Sequence, residues 1–166
     1  MTCWHWNSGH KPKRTCKVPG SLFDTNIWLA AIFPTHPFHV VAQHAILQGT
    51  RAKPAVWCRS TQQSFLRLAS TPTLHKAYGA DRMTNQDALL ALDRLQALPQ
   101  VVLREEPPGV FALWRQLAGV DTASPKVWMD AYLAAFAKAG SLSLVTLDRD
   151  FKSFVAQGLD LVLLQG

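Results

Sequence analysis

The chain has 166 residues, 48% of them apolar and 17% charged, with a formal net charge of +6. These are the proportions of one compact domain with a substantial core. No apolar run is long enough to span a bilayer, the first residues lack the apolar core of a secretory signal, and three cysteines (Cys3, Cys16, Cys58) are an odd count. A membrane protein and a disulfide-stapled scaffold are thereby set aside, and a reducing, cytoplasmic setting is expected. The charge is uneven: Lys11, Lys13, Arg14 and Lys17 lie in the first twenty residues, which hold no acid, and the remainder carries 13 basic and 11 acidic side chains.

Residues 1–20 show no sustained period and hold Gly, Pro and four cations, so they read as a flexible extension of a domain spanning 21–166. Cys3, His5, His10 and Cys16 are zinc-capable side chains, but their spacing matches no standard zinc pattern. Leu22 to Asn26 reads as the first strand and Ile27 to Ala31 as a short helical turn. His36 to Leu47 predicts a helix with Val40, Val41, His44 and Leu47 on one side, ended by Gly49. Ala55-Val56-Trp57 is a short strand. Ser60 or Thr61 then caps a helix whose Phe65, Leu66 and Leu68 face the core. Thr84 caps the next, with Ala88, Leu89, Leu92, Leu95 and Leu98 at helical spacing and Pro99 closing it. Val101-Val102-Leu103 is a third strand, and 108–118 a helix bearing Phe111, Trp114 and Leu117. Ser124 and Pro125 form an N-cap and first-turn pair for a helix over 126–139, stopped by Gly140. A strand over 142–147, a short helix over 150–156 and a closing strand over 159–164 complete the chain. Strands separated by helical segments indicate a parallel α/β sheet. Trp28, Trp57, Trp114 and Trp128 each lie in apolar surroundings and read as core or interface residues. Cys58 reads as a small buried side chain.

Two aspartates sit where apolar strands end: Asp24 after Ser21-Leu22-Phe23, and Asp148 after Leu144-Val145-Thr146-Leu147. Ligands of open α/β sheets bind beyond the carboxyl ends of the strands. If these two strands are neighbours, the carboxylates face each other across that crevice. Two like charges at ~4 Å repel by about 4 kcal/mol at an effective dielectric near 20. A cation relieves that repulsion, and clustered carboxylates suit a hard divalent ion, Mg²⁺ or Mn²⁺. Asp130 lies beside the apolar stripe of its helix, where burial without a partner is costly. Apart from Asp24, Asp130, Asp148 and Asp150 the body has a clear basic excess, which suits a polyanion whose phosphate is held through a metal.

Four fragments in order, Leu22-Phe23-Asp24-Thr25-Asn26, Ser64-Phe65-Leu66-Arg67-Leu68, Met129-Asp130-Ala131-Tyr132-Leu133-Ala134 and Leu144-Val145-Thr146-Leu147-Asp148-Arg149-Asp150-Phe151, resemble the PIN-domain ribonucleases. In particular they resemble the VapC toxins of bacterial toxin–antitoxin pairs. The resemblance covers residues 20–166. It implies a three-layer α/β/α sandwich around a parallel sheet of about four or five strands. It also implies an Mg²⁺-dependent (or Mn²⁺-dependent) endoribonuclease with Asp24, Asp130 and Asp148 as the catalytic metal-binding acids and Asp150 as an auxiliary ligand. Asn26 or Thr25 would hold Asp24 in place, and Thr146, two residues before Asp148, would support metal or phosphate. Arg59, Arg67 and Arg149 are candidate RNA-phosphate contacts. The implied partners are RNA, a VapB-type antitoxin and a second copy of the chain.

One departure stands out. Many members of the family carry a glutamate where this chain has Gln62, which keeps a carbonyl acceptor but loses the charge. That substitution lowers the expected metal affinity and keeps open a degenerate PIN domain that binds RNA or protein without cleaving. A haloacid-dehalogenase-like phosphatase also places an aspartate at its first strand end. It needs a second aspartate two residues on, where this chain has Asn26.

Overall fold

The computed structural model describes residues 20–165. The expectations for the first nineteen residues, a flexible extension and a zinc-capable Cys/His group, lie outside the described residues. Five strands form one parallel sheet: β1 (Ser21–Phe23), β2 (Ala55–Trp57), β3 (Val101–Leu103), β4 (Ser143–Thr146) and β5 (Leu161–Leu163), in the order β3-β2-β1-β4-β5. Seven α-helices are described: α1 (Thr25–Ile32), α2 (His39–Leu47), α3 (Arg59–Ala69), α4 (Pro72–Ala77), α5 (Asn85–Gln96), α6 (Val110–Ala118) and α7 (Val127–Gly140). A 3-10 helix, Arg149–Gln157, precedes β5. This is the α/β/α sandwich expected.

Residues two apart on a strand face the same way, so each strand serves both layers. Leu22, Val56 and Leu144 point into one core with α6, α7 and the 3-10 helix. Phe23, Trp57 and Val145 point into the other with α1, α2, α3 and α5. Burial on both faces explains why β1, β2 and β4 read as unbroken apolar runs. In the second core the indoles of Trp28 and Trp57 stack with centroids 3.8 Å apart, and Trp28 donates its N–H to the carbonyl of Phe23. The two tryptophans thus tie α1 to β2 and to the end of β1.

Several boundaries differ from the sequence reading. Asp24, Thr25 and Asn26 do not extend the first strand: β1 ends at Phe23 and α1 begins at Thr25. α2 starts at His39, and its buried residues are Ala42 and Ile46, whereas Val40 and Leu47 are exposed. The run His-Val-Val-Ala offers apolar side chains all round, so periodicity alone chose the wrong face. Cys58, not Ser60 or Thr61, is the N-cap of α3: its N–H bonds the Thr61 hydroxyl from the third helical position. Leu89 is exposed. α4 was not anticipated; it is six residues long and opens on Pro72. At the end of α7, Ser141 takes the left-handed conformation (φ 52°), leaving Gly140 inside the helix.

Candidate active site

The chain builds β1, β2 and β3 outward in one direction, then returns to add β4 and β5 on the other side of β1. The switch point therefore lies between β1 and β4, the pair whose carboxyl ends form the ligand crevice of such sheets. The N-termini of α1 and of the 3-10 helix open there, and the positive end of a helix dipole favours anions.

Asp24 ends β1 and occupies the N-cap position of α1. It is only 8% exposed. Its Oδ2 accepts from the Asn26 amide (2.8 Å) and from the Thr146 hydroxyl (2.7 Å). Thr146, wholly buried at the end of β4, also accepts from Asn26 Nδ2 (3.0 Å) and from the N–H of Asp148 (3.0 Å). The hydroxyl donates once and accepts twice, its full capacity. Asn26 closes the network by accepting the N–H of Leu147 (3.2 Å). Burial pushes the Asp24 carboxyl above its ordinary range. Thr146 and the backbone of Thr25 and Asn26 pull it back, and the charge of Asp148 adds to the rise.

Asp130 stands in the first turn of α7 and is half-buried. Burial is the main reason its pKa is pushed up to about 6; Lys126 opposes the rise, and Asp148, Asp24 and Asp150 reinforce it. Three carboxylates from three separate elements thus share one electrostatic field. Asp148 caps the 3-10 helix, its Oδ1 accepting the Asp150 N–H at 2.9 Å. The other oxygen of Asp148 accepts from Lys126 Nζ at 2.9 Å, and the same ammonium reaches Asp150 Oδ2 at 2.5 Å. Burial acts upward on Asp148. The Lys126 hydrogen bond, the Asp150 N–H and the Lys126 charge outweigh it and hold the carboxyl below its ordinary value. The two carboxylates in turn hold the Lys126 ammonium well above the usual lysine range.

The other candidates are placed unevenly. Gln62 is buried in the first turn of α3, at the carboxyl end of β2, and its side-chain oxygen accepts from Arg59 Nη1 at 2.8 Å. Arg149 is exposed between Asp148 and Asp150. Arg67 lies about two turns along α3 from Arg59, away from the crevice. Trp28 and Trp57 are core residues, but Trp128 is 54% exposed and Trp114 half-buried on the α6–α7 face. Among the described residues no three His, Cys, Asp or Glu side chains converge as a preformed ion cage. The donor set itself is all oxygen and carries excess negative charge, which fits a hard divalent ion.

The sequence matches the PIN-domain family model over residues 21–156. The chain is a VapC-type PIN domain. It is 43% identical over 145 residues to Ribonuclease VapC41 of Mycobacterium tuberculosis, a match covering 86% of this chain and 97% of that one. Solved structures with the same fold include VapBC2 from Rickettsia felis, bound to a DNA fragment from its promoter (TM-score 0.58, 14% identity, 87% of this chain and 98% of that chain). Another is VapC20 of Mycobacterium tuberculosis, a sarcin–ricin loop cleaving toxin (TM-score 0.57, 16% identity, 87% and 98%). Within this PIN domain the residue that sequence reasoning missed is Lys126. Its one signal was a cation just before a helix that carries a site acid, and helix periodicity says nothing about a side chain reaching back to a distant strand.

Proposed function

We propose that this PIN domain is the ribonuclease toxin of a VapBC-type pair, cleaving RNA phosphodiesters with a divalent ion, Mg²⁺ or Mn²⁺. The observation that carries this reading is the shared field of Asp24, Asp130 and Asp148 at the β1/β4 switch point. Those three side chains would hold the ion, with Asp150 beside them. When bound, the ion supplies Lewis-acid stabilisation of the phosphoryl oxygens and lowers the pKa of a coordinated water. The protein's own contribution is to fix the acids. Asn26 and Thr146 clamp Asp24 Oδ2 and leave its other oxygen for the ion. The N-termini of α1 and the 3-10 helix favour the substrate phosphate, and the exposed guanidiniums of Arg59 and Arg149 can meet its flanking backbone.

A VapB-type antitoxin is the proposed partner. The groove between α1, α2 and α5, where Ile32, Leu90 and Leu95 sit beside Gln43, Asp87 and Arg94, gives an amphipathic helix a seat beside α1, whose first turn opens on the crevice. A homodimer through α6 and α7 is also proposed, on the exposure of Phe111, Trp128 and Met129 along one surface.

The test is substitution at constant volume. Asp24→Asn, Asp130→Asn and Asp148→Asn should each reduce metal-dependent cleavage of an RNA substrate by at least about a hundredfold, with the fold retained by circular dichroism. Undiminished cleavage in two of the three would refute the triad. The Arg59–Gln62 hydrogen bond favours one second reading, a non-catalytic binding domain, because it supplies a cation where the family often has a metal-directed acid. RNA binding without cleavage at any ion concentration would select it.

A further inference from the structure

Lys126 bonds two of the site's acids at once, Asp148 and Asp150. It immediately precedes α7, and its side chain is 58% exposed, so only the two carboxylates hold its tip. The contacts occupy Asp148 Oδ2 and Asp150 Oδ2. Asp148 Oδ1 is already committed to the Asp150 N–H. Each oxygen of Asp148 therefore already accepts one hydrogen bond, whereas Asp24 keeps an oxygen clear of the side-chain clamp. Among the described residues the late acids are bonded to an internal ammonium, and no three acids converge as a ready-made cage.

We infer that Lys126 is a tethered counter-ion that competes with the divalent ion for Asp148 and Asp150 and so sets the ion affinity of the site. The inference rests on the metal-dependent reading above. An ion entering between Asp24, Asp130 and Asp148 must displace the ammonium, and losing two partly exposed ion pairs is a small but real cost. The displaced ammonium stays within one side-chain length of the crevice. The fold thus carries a positive charge that neutralises the acids in the absence of an ion and sets a threshold concentration for loading.

Mn²⁺ titration calorimetry on the full chain tests this. Lys126→Met removes the competing charge and keeps the aliphatic stem. It should tighten Mn²⁺ binding by about two- to thirtyfold, the range for two such pairs. Lys126→Arg, which preserves the charge, should stay within about threefold of the parent. With EDTA present, Lys126→Met should melt lower than the parent, because Asp148 and Asp150 then repel unscreened; added Mn²⁺ should reverse that order. Equal or weaker Mn²⁺ binding by Lys126→Met, with binding by the parent intact, overturns the inference alone. No Mn²⁺ binding by either protein overturns the metal-dependent reading and the inference with it.

Discussion

Thr146 and Asn26 show how a site can depend on groups that never touch a reactant. Each uses its short side chain to connect the end of β4 with the start of α1, and together they fix one oxygen of Asp24. Asp130 has no such clamp, and burial, reinforced by the neighbouring acids, pushes its pKa up to about 6. That shift has a definite sign in stability. The Asp130 carboxyl binds its proton more tightly in the folded protein (about 6) than at its ordinary value of 3.8. Stability therefore increases as pH falls from about 6 towards 3.8, and Asp24, also raised, acts in the same direction. Asp148 is depressed, so its contribution is present above 3.8 and is lost only as pH falls below it. The two windows do not overlap. Without divalent ions, acidification from about pH 7 to about pH 5 should stabilise the protein by about 0.5 kcal/mol, because that range spans roughly half of the window and partial hydration of Asp130 lowers the effect further. Urea denaturation across that range should show the rise, and Asp130→Asn should remove most of it. A fall in the parent would mean that the acids do not repel one another.

At the scale of elements, α6 and α7 present an exposed apolar face. The ring of Trp114 meets Trp128 and Tyr132 edge-on, its N–H is donated to the carbonyl of Trp128, and Phe111 adds its exposed ring. Trp128→Glu places a charge in that face without touching the core. If the face joins two copies, the variant should sediment as a monomer at concentrations where the parent is a dimer; a parent that is monomeric throughout excludes this use of the face. The same elements show what was legible in the sequence. β2, β3 and the Thr84 cap of α5 were readable because each signal is local: a β-branched or aromatic run, or a hydroxyl three residues before an acid. The pairing of β1 with β4 entered the sequence reading only as the condition under which the two aspartates face each other, and the sheet order meets it. Asp24 was placed in a strand because apolar patterning does not mark where a strand hands over to a helix. Lys126 and the buried face of α2 depend on contacts between distant segments, for which the sequence has no local mark. Gln62 was noticed as a missing acid, but its bond to Arg59 could not be seen from spacing alone.

Across the whole molecule, the site is assembled from the two ends of the described chain. The hydroxyl of Thr146 and the carboxylate it holds, Asp24, are 122 residues apart in sequence. β1 is central in the sheet, yet its neighbour β4 is the fourth strand made. A fragment over 20–120 therefore has Asp24 without the Thr146 half of its clamp, and one over 121–166 has Asp148 without its opposite acid. Neither fragment should cleave RNA or bind Mn²⁺. Mixing the two should restore binding only to the extent that β1 and β4 pair, which calorimetry and circular dichroism would register together. Activity in the first fragment alone would show that the late acids are dispensable.

That long separation has a consequence for the cell that translates the chain. While the ribosome still holds everything after α6, the nascent polypeptide has one acid of the three and lacks β4, the neighbour of β1 whose Thr146 holds Asp24. Truncated products of interrupted synthesis share that condition. For a proposed toxin of RNA, the order in which residues leave the ribosome becomes a safeguard. Competence arrives only with the last segments, after the groove between α1, α2 and α5, where the antitoxin is proposed to sit, has already emerged.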